Sequence, residues 1–369
     1  MDRKTIEKAI LSLGENKDLL ARFKRDPVVL GAELGIDAEW SEVIANGDRD
    51  RLRSEGLADG ITILVTRWFK DDVTDSTSTG KFVFDGRVST EPPQPPANLY
   101  FAGGCSHVPD LIARPEIDPA DAVQRLLDGY GRLKANIAAA NLDVLLISAD
   151  CHFQSFETAA TVIGVGETHA GSMAFFKRPD LDASVPGDSA FALELVEAVR
   201  AAGLEVEASS KVELDHGLVV PLRVMLEDGS IPVVPIITQP ARGFSPFGAK
   251  AFGEALRGAI ERSGKRVGFL ATGGLSHWLE PGKYGKVDEA FDGFLLDLLK
   301  AGRGLDISNF EPYPLLDHGQ YEILNWVIML AVVGAGVKGE VYAYEPMENS
   351  GGGWTVANMK FEPKVVARA

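Results

Sequence analysis

A chain of 369 residues with 45% hydrophobic and 24% charged residues suits one large domain or two ordinary ones, with ample apolar side chains for a core. Its net charge of -16 excludes a protein built to grip a nucleic-acid backbone, which needs a basic face. Two cysteines, Cys105 and Cys151, without a CxxC spacing exclude a disulfide framework; with no signal-like or membrane-spanning apolar run, a cytoplasmic protein free of membrane is expected.

Residues 1–70 are predicted helical. Ile6, Ile10 and Leu13, then Leu19, Leu20 and Phe23, fall near helical spacing. Asp26-Pro27 restarts a helix with proline in its first turn, Gly35 stops it, and Ala38–Ile44 and Asp48–Leu57 give two more. Residues 71–98, polar and then proline-rich (STEPPQPPAN), read as a linker, with Lys81–Val88 a short strand or hairpin. From 99 to 369 strands and helices alternate. Strands are predicted at Leu99–His107, Leu142–His152, Ile231–Gln239, Arg266–His277 and Glu340–Glu345. Helices are predicted over Asp121–Ala140, Ser189–Ala202, Ala249–Ser263, Glu289–Leu299 and Tyr321–Val333. The pattern predicts an α/β domain, a central mostly buried sheet flanked by helices, behind a small all-α N-terminal domain.

Three of the six histidines, His107, His152 and His277, stand where an apolar strand runs out into a loop. That edge is where α/β sheets bind ligands. A fourth, His216, lies in Asp215-His216-Gly217 ahead of an apolar run. Imidazoles converging there suggest a metal or acid–base centre. Pro109 fixes the end of the first strand, Asp150 is placed to orient His152, and Gly273-Gly274 lets the backbone turn tightly before His277. One such histidine is more often structural; four in one domain favour a shared site. His169 and His318 have no strand to place them and read as surface-loop residues. Two histidines and a carboxylate with open positions form the facial triad of non-haem Fe(II) chemistry. The nearest acids after His277 are Asp288-Glu289 at a helix start, where acids also serve the helix dipole alone. Lys177-Arg178 and Arg242 are candidate cations for an acid substrate, and Trp278 a candidate wall of an aromatic pocket.

Four motifs, Ser106-His107-Val108-Pro109, Asp150-Cys151-His152-Phe153, Asp215-His216-Gly217-Leu218-Val219-Val220-Pro221 and Ala271-Thr272-Gly273-Gly274-Leu275-Ser276-His277, resemble in this order the type II extradiol ring-cleavage dioxygenases of the protocatechuate 4,5-dioxygenase kind. Over residues 99–360 the resemblance is to the catalytic β subunit. Residues 1–70, through Leu20–Pro27 (LARFKRDP) and Leu34–Asp37 (LGID), are similar to the small α subunit, fused in front. The resemblance implies an Fe(II) site with His107 and His152 as ligands and His216 as the acid–base residue. It places His277 either behind the metal ligands or against the substrate, and the helical domain over the active-site mouth.

The family's third ligand is a glutamate just ahead of a Phe/Trp-Asp pair. Here the pair is Phe291-Asp292, Ala290 holds the glutamate's place, and Glu289 stands one residue earlier, about 100° round a helix. Either the helix is re-registered and Glu289 ligates, or the carboxylate is lost and the Fe(II) is absent or replaced. The resulting expectation is a homo-oligomeric Fe(II) extradiol dioxygenase that opens a protocatechuate- or gallate-like acid with O2. His107, His152 and Glu289 would bind metal, His216 and His277 would be catalytic, and Trp278 and Asp150 would contact substrate. Two alternatives stand beside it: a non-redox or metal-poor lyase or hydrolase on the same scaffold, and a binding homologue without turnover.

Overall fold

Apolar runs without polar alternation become parallel strands covered on both faces, as such runs require. The computed structural model describes residues 3–15, 17–48, 51–52, 65, 94–152, 161–226, 229, 231–239, 245–278, 283–310 and 312–362, which fall in two units.

The N-terminal unit contains α1 (Arg3–Glu15), α2 (Lys17–Arg25), α3 (Pro27–Glu33) and α4 (Ala38–Ala45). Asp26 caps α3 by accepting from Val29 N at 3.1 Å, and Asp37 caps α4 by accepting from Trp40 N at 3.0 Å, which satisfies amides the helices leave unpaired. Helices α3 and α4 cross closely because residue 31 has no side chain; a Cβ there would fall 1.8 Å from Ser41 Oγ. Ile6, Ile10, Leu13, Phe23, Leu30, Trp40 and Ile44 share one core. Most of the predicted helix Asp48–Leu57, all of Lys81–Val88 and the linker up to residue 93 lie outside the described residues.

The second unit runs β1 (Leu99–Cys105), α5 (Ala120–Ala140), β2 (Val144–Asp150), β3 (Thr161–Gly164), β4 (Thr168–Gly171), β5 (Ala183–Pro186), α6 (Ser189–Ala201), β6 (Glu207–Ser209), β7 (Glu213–Leu214), α7 (His216–Met225), β8 (Val233–Thr238), α8 (Pro246–Arg262), β9 (Val267–Thr272), α9 (Glu289–Lys300), α10 (Ile323–Val333), β10 (Gly339–Met347) and β11 (Gly352–Met359), with short helical turns between. Eight strands form one sheet in the order β10-β11-β1-β9-β2-β8-β3-β6, and β5-β4-β7 form a second. The inner strands β1, β9, β2 and β8 are parallel. Both β11 beside β1 and β3 beside β8 run against them. Side chains of β2 alternate between two cores: Val144 and Leu146 pack with α6, α8, α9 and α10, whereas Leu145, Ile147 and Ala149 pack with α5 and α7.

Helix α10 (ILNWVIMLAVV) is buried along its whole length, as an all-round apolar helix must be. Its Trp326 ring lies on β1, where a Cβ on Gly104 would sit 2.5 Å from the indole. The ring is locked, since Nε1 donates to Gly273 O at 3.2 Å. Gly104→Ala is therefore expected to overpack this seam and cost about 1–3 kcal/mol, seen as a lower urea midpoint at unchanged slope. A midpoint equal to the parent's contradicts the packing described.

The α/β class and the flanked, buried sheet are as the sequence implied. Strands β3–β7 and β11 were not predicted; they are short or, like β11, open on two glycines, which weaken a strand signal. His169 and His318 are corrected as well. His169 is buried in β4. His318 is half-buried, stacked on Phe291 at 3.9 Å between centroids, with Nδ1 2.7 Å from Asp288 Oδ2. Among the described residues no helix is long and apolar enough to cross a membrane.

Candidate metal centre

Strands β1, β9 and β2 are neighbours and parallel, so the segments leaving their carboxyl ends emerge side by side. His107 and His152 follow β1 and β2, and His216 opens α7, whose cap Asp215 accepts from Gly217 N at 2.8 Å. Ring centroids are 5.0 Å apart for His107–His152, 4.0 Å for His152–His216 and 5.4 Å for His107–His216. One nitrogen of each ring lies within 4.8 Å of the others. The structure thus brings these three predicted residues together, with His277 close by.

The carboxylate among them is Glu322, the residue before α10. Its Oε1 lies 3.0 Å from His107 Nε2, 3.3 Å from His152 Nε2 and 3.7 Å from His277 Nε2. Its Oε2 accepts from Gly274 N at 2.7 Å. Burial alone would raise its pKa, but the charges of His107 and His277 and the hydrogen bonds from His107 and His152 outweigh that and hold it well below the usual carboxylate range. Glu289 is not in this cluster. Helix α9 starts at Glu289 with Asp288 as its cap, a register that turns Glu289 and Ala290 out to solvent and Phe291 and Asp292 inward. The acid sought in Asp288-Glu289 comes instead from a segment 33 residues farther along.

Outer partners fix which nitrogen each ring presents. Thr272 Oγ1 lies 3.0 Å from Ser148 O and 2.9 Å from Gly217 O, both acceptors, and 3.0 Å from His107 Nδ1. A hydroxyl has one proton. It goes to a carbonyl, so His107 Nδ1 is the donor to Thr272 and Nε2 faces Glu322. His152 Nδ1 lies 3.1 Å from Asp215 Oδ2, which also accepts the His152 backbone N–H at 2.9 Å. The acid that orients His152 is therefore Asp215, not Asp150. Asp150 ends β2 on the α10 side, where its Oδ1 takes the Thr238 hydroxyl at 2.5 Å and Asn325 Nδ2 at 2.8 Å. Those bonds make it a brace under the Glu322 segment rather than a substrate contact.

Charge follows this arrangement. Burial, and then the charge of Glu322, push Asp150 up to about 7. Burial opposes a charge on His152, but hydrogen bonds with Asp215 and Glu322 raise it to about 10. Burial likewise opposes charge on Asp215, and the His152 hydrogen bond and charge still hold it at about 2. Burial first, then the charges of His152 and His107, push His216 down to about 3, leaving a neutral imidazole.

Two further expectations change. Trp278 is packed away, with Lys286 Nζ 4.4 Å over its ring. Among the described residues, rings beside the histidines include Tyr321 and Trp354, at 5.7 and 5.8 Å from His277, and Phe176, at 5.1 Å from His216. Arg178 is engaged by Asp180 and by the carbonyls of Ile112 and Ala113. Arg242 lies outside the described residues.

Two imidazoles tied through Nδ1 to an acceptor, each presenting Nε2 to one ionised carboxylate, match the donor set and outer support of a two-histidine, one-carboxylate metal site. The family model described as the catalytic LigB subunit of aromatic ring-opening dioxygenase matches residues 102–355, a span that contains every group just described. The chain belongs to this extradiol dioxygenase-like family. It is 31% identical over 204 residues to a 2,3-dihydroxyphenylpropionate/2,3-dihydroxicinnamic acid 1,2-dioxygenase 1 of Pseudomonas putida, covering 53% of this chain and 61% of that protein. An Azotobacter vinelandii dioxygenase named for the same substrates is 32% identical over 166 residues, covering 43% of this chain and 52% of that one. An Escherichia coli K12 counterpart is 29% identical over 174 residues, covering 44% and 52%. The chain thus spans between 52% and 61% of the length of these relatives.

Proposed function

We propose that this chain is an Fe(II)-dependent extradiol dioxygenase that opens the ring of a catechol-type aromatic acid with O2. The observation that carries the reading is the convergence of His107 Nε2 and His152 Nε2 on Glu322 Oε1. These residues would hold the ferrous ion, which would replace the proton on each Nε2. When bound, the ion supplies a Lewis-acid and redox centre for the diol and O2.

The protein's own groups do the rest. His216, neutral and beside His152, takes a proton from a diol hydroxyl and later returns it. His277 donates Nδ1–H to Leu275 O at 3.0 Å, which orients the ring with Nε2 on the Glu322 side, 3.7 Å from Oε1. The rings of Phe176, Tyr321 and Trp354 exclude water and give an aromatic substrate apolar surface.

A protocatechuate- or gallate-like acid follows from the motif resemblance, whereas the relatives are named for dihydroxyphenyl acids with a three-carbon side chain. Both kinds join a vicinal diol to a carboxylate. Anaerobic loading with Fe(II), followed by an oxygen electrode and a panel of protocatechuate, gallate, 2,3-dihydroxyphenylpropionate and catechol, tests the reading. Oxygen uptake matched to loss of an acid-bearing diol is expected; no uptake with any of the four contradicts it.

A further inference from the structure

We infer that Asp292 is the positioning residue that fixes Glu322 and His277 relative to one another and so sets the affinity of the centre for its metal; this rests on the proposed metal site. Asp292 is wholly buried in the first turn of α9. Its Oδ1 accepts from Ser276 N at 2.9 Å and Gln320 Nε2 at 2.6 Å, and its Oδ2 from Ser276 Oγ and Tyr344 OH, both at 2.7 Å. An ionised carboxylate offers about four acceptor sites, and each here meets a donor.

The recipients explain the role. Ser276 directly precedes His277, and Gln320 lies two residues before Glu322. The Gln320 amide has one sense, because Nε2 faces two acceptors, Asp292 Oδ1 and His318 O. Two bonds close the frame: Gly274 N to Glu322 Oε2 at 2.7 Å and His277 N to Gly319 O at 3.0 Å. Residue 353 must lack a side chain to admit the carboxylate, since a Cβ there would fall 2.2 Å from Asp292 Oδ2. Asp292 makes these bonds to Ser276, Gln320 and Tyr344 rather than to an imidazole, so it acts through the segments that carry the ligating and substrate-facing groups.

Cobalt(II) titration of the apo full chain, read by visible absorption, together with urea midpoints, separates positioning from plain stability. Asp292→Asn keeps the size but sets amide protons against donors, and is expected to raise the Co(II) Kd by about 10–100-fold, the usual effect of losing an outer partner. Gln320→Leu cuts one link only, is milder for folding, and is expected to raise Kd in the same direction. Tyr344→Phe removes the bond that bears on neither segment, and is expected to lower the urea midpoint with Kd unchanged. Parent-like Kd in both Asp292→Asn and Gln320→Leu, with a parent that binds Co(II), overturns the inference and leaves the metal site standing. An equal rise for Tyr344→Phe overturns it too. A parent that binds no Co(II) removes the metal reading, and this inference with it.

Discussion

Glu322→Gln is expected to abolish tight divalent-metal binding and the ring-opening activity with it, while Glu289→Gln leaves both as in the parent. Glutamine keeps the shape of residue 322, and its carbonyl still accepts from Gly274 N, which the Oε2 bond at 2.7 Å requires. It removes the charge that faces His107, His152 and His277. A neutral amide is a poor ligand for a hard divalent ion and offers no compensation for its charge. The loss should therefore exceed the roughly 10–100-fold that follows removal of an outer partner. Elemental analysis after Fe(II) loading and gel filtration reads the effect directly. A Glu322→Gln protein that still carries stoichiometric iron, or a Glu289→Gln protein that has lost it, reverses the assignment.

The second large effect is expected at His216. His216→Ala should lower kcat by about 10²–10⁴-fold, the range for loss of a general acid–base group, and leave metal content unchanged. The two readouts matter together because His216 sits within ligating reach of His107 and His152. The division of roles rests on Glu322. In the proposed ligand set that carboxylate joins the Nε2 atoms of the other two rings, which leaves out His216, whose ring is pushed towards the neutral state by burial and then by the charges of its neighbours. Loss of iron from His216→Ala would place it in the ligand set instead and remove the proposed proton carrier.

What the sequence revealed and what it hid have physical reasons. Buried parallel strands announce themselves as unbroken apolar runs; β1, β2, β8 and β9 were legible for that reason, and so were the histidines at their ends. His216 was legible through the Asp-His-Gly turn that opens α7. Glu322 was not, because an acid at a helix start is ordinary helix chemistry. The available signal was its place directly before α10, eleven residues without a charge, where no solvent face requires an acid. Motif spacing led instead to Phe291-Asp292, and there the inward acid is Asp292, a brace rather than a ligand. Sequence proximity also misled at Asp150: two residues from His152, it points to the α10 side, and the partner of His152 comes from 63 residues on. Trp278 shows the same limit, since standing next to His277 in the chain put it under Lys286 and not beside the imidazoles.

The most direct measurement is a crystal structure of the anaerobically Fe(II)-loaded protein with anomalous data at the iron edge. A single peak about 2.0–2.2 Å from His107 Nε2, His152 Nε2 and a Glu322 oxygen, the bond range for such ligands on a small divalent ion, is the result expected, with Glu289 out in solvent. An iron held by Glu289, or held by three imidazoles with Glu322 turned away, would contradict the account at its centre.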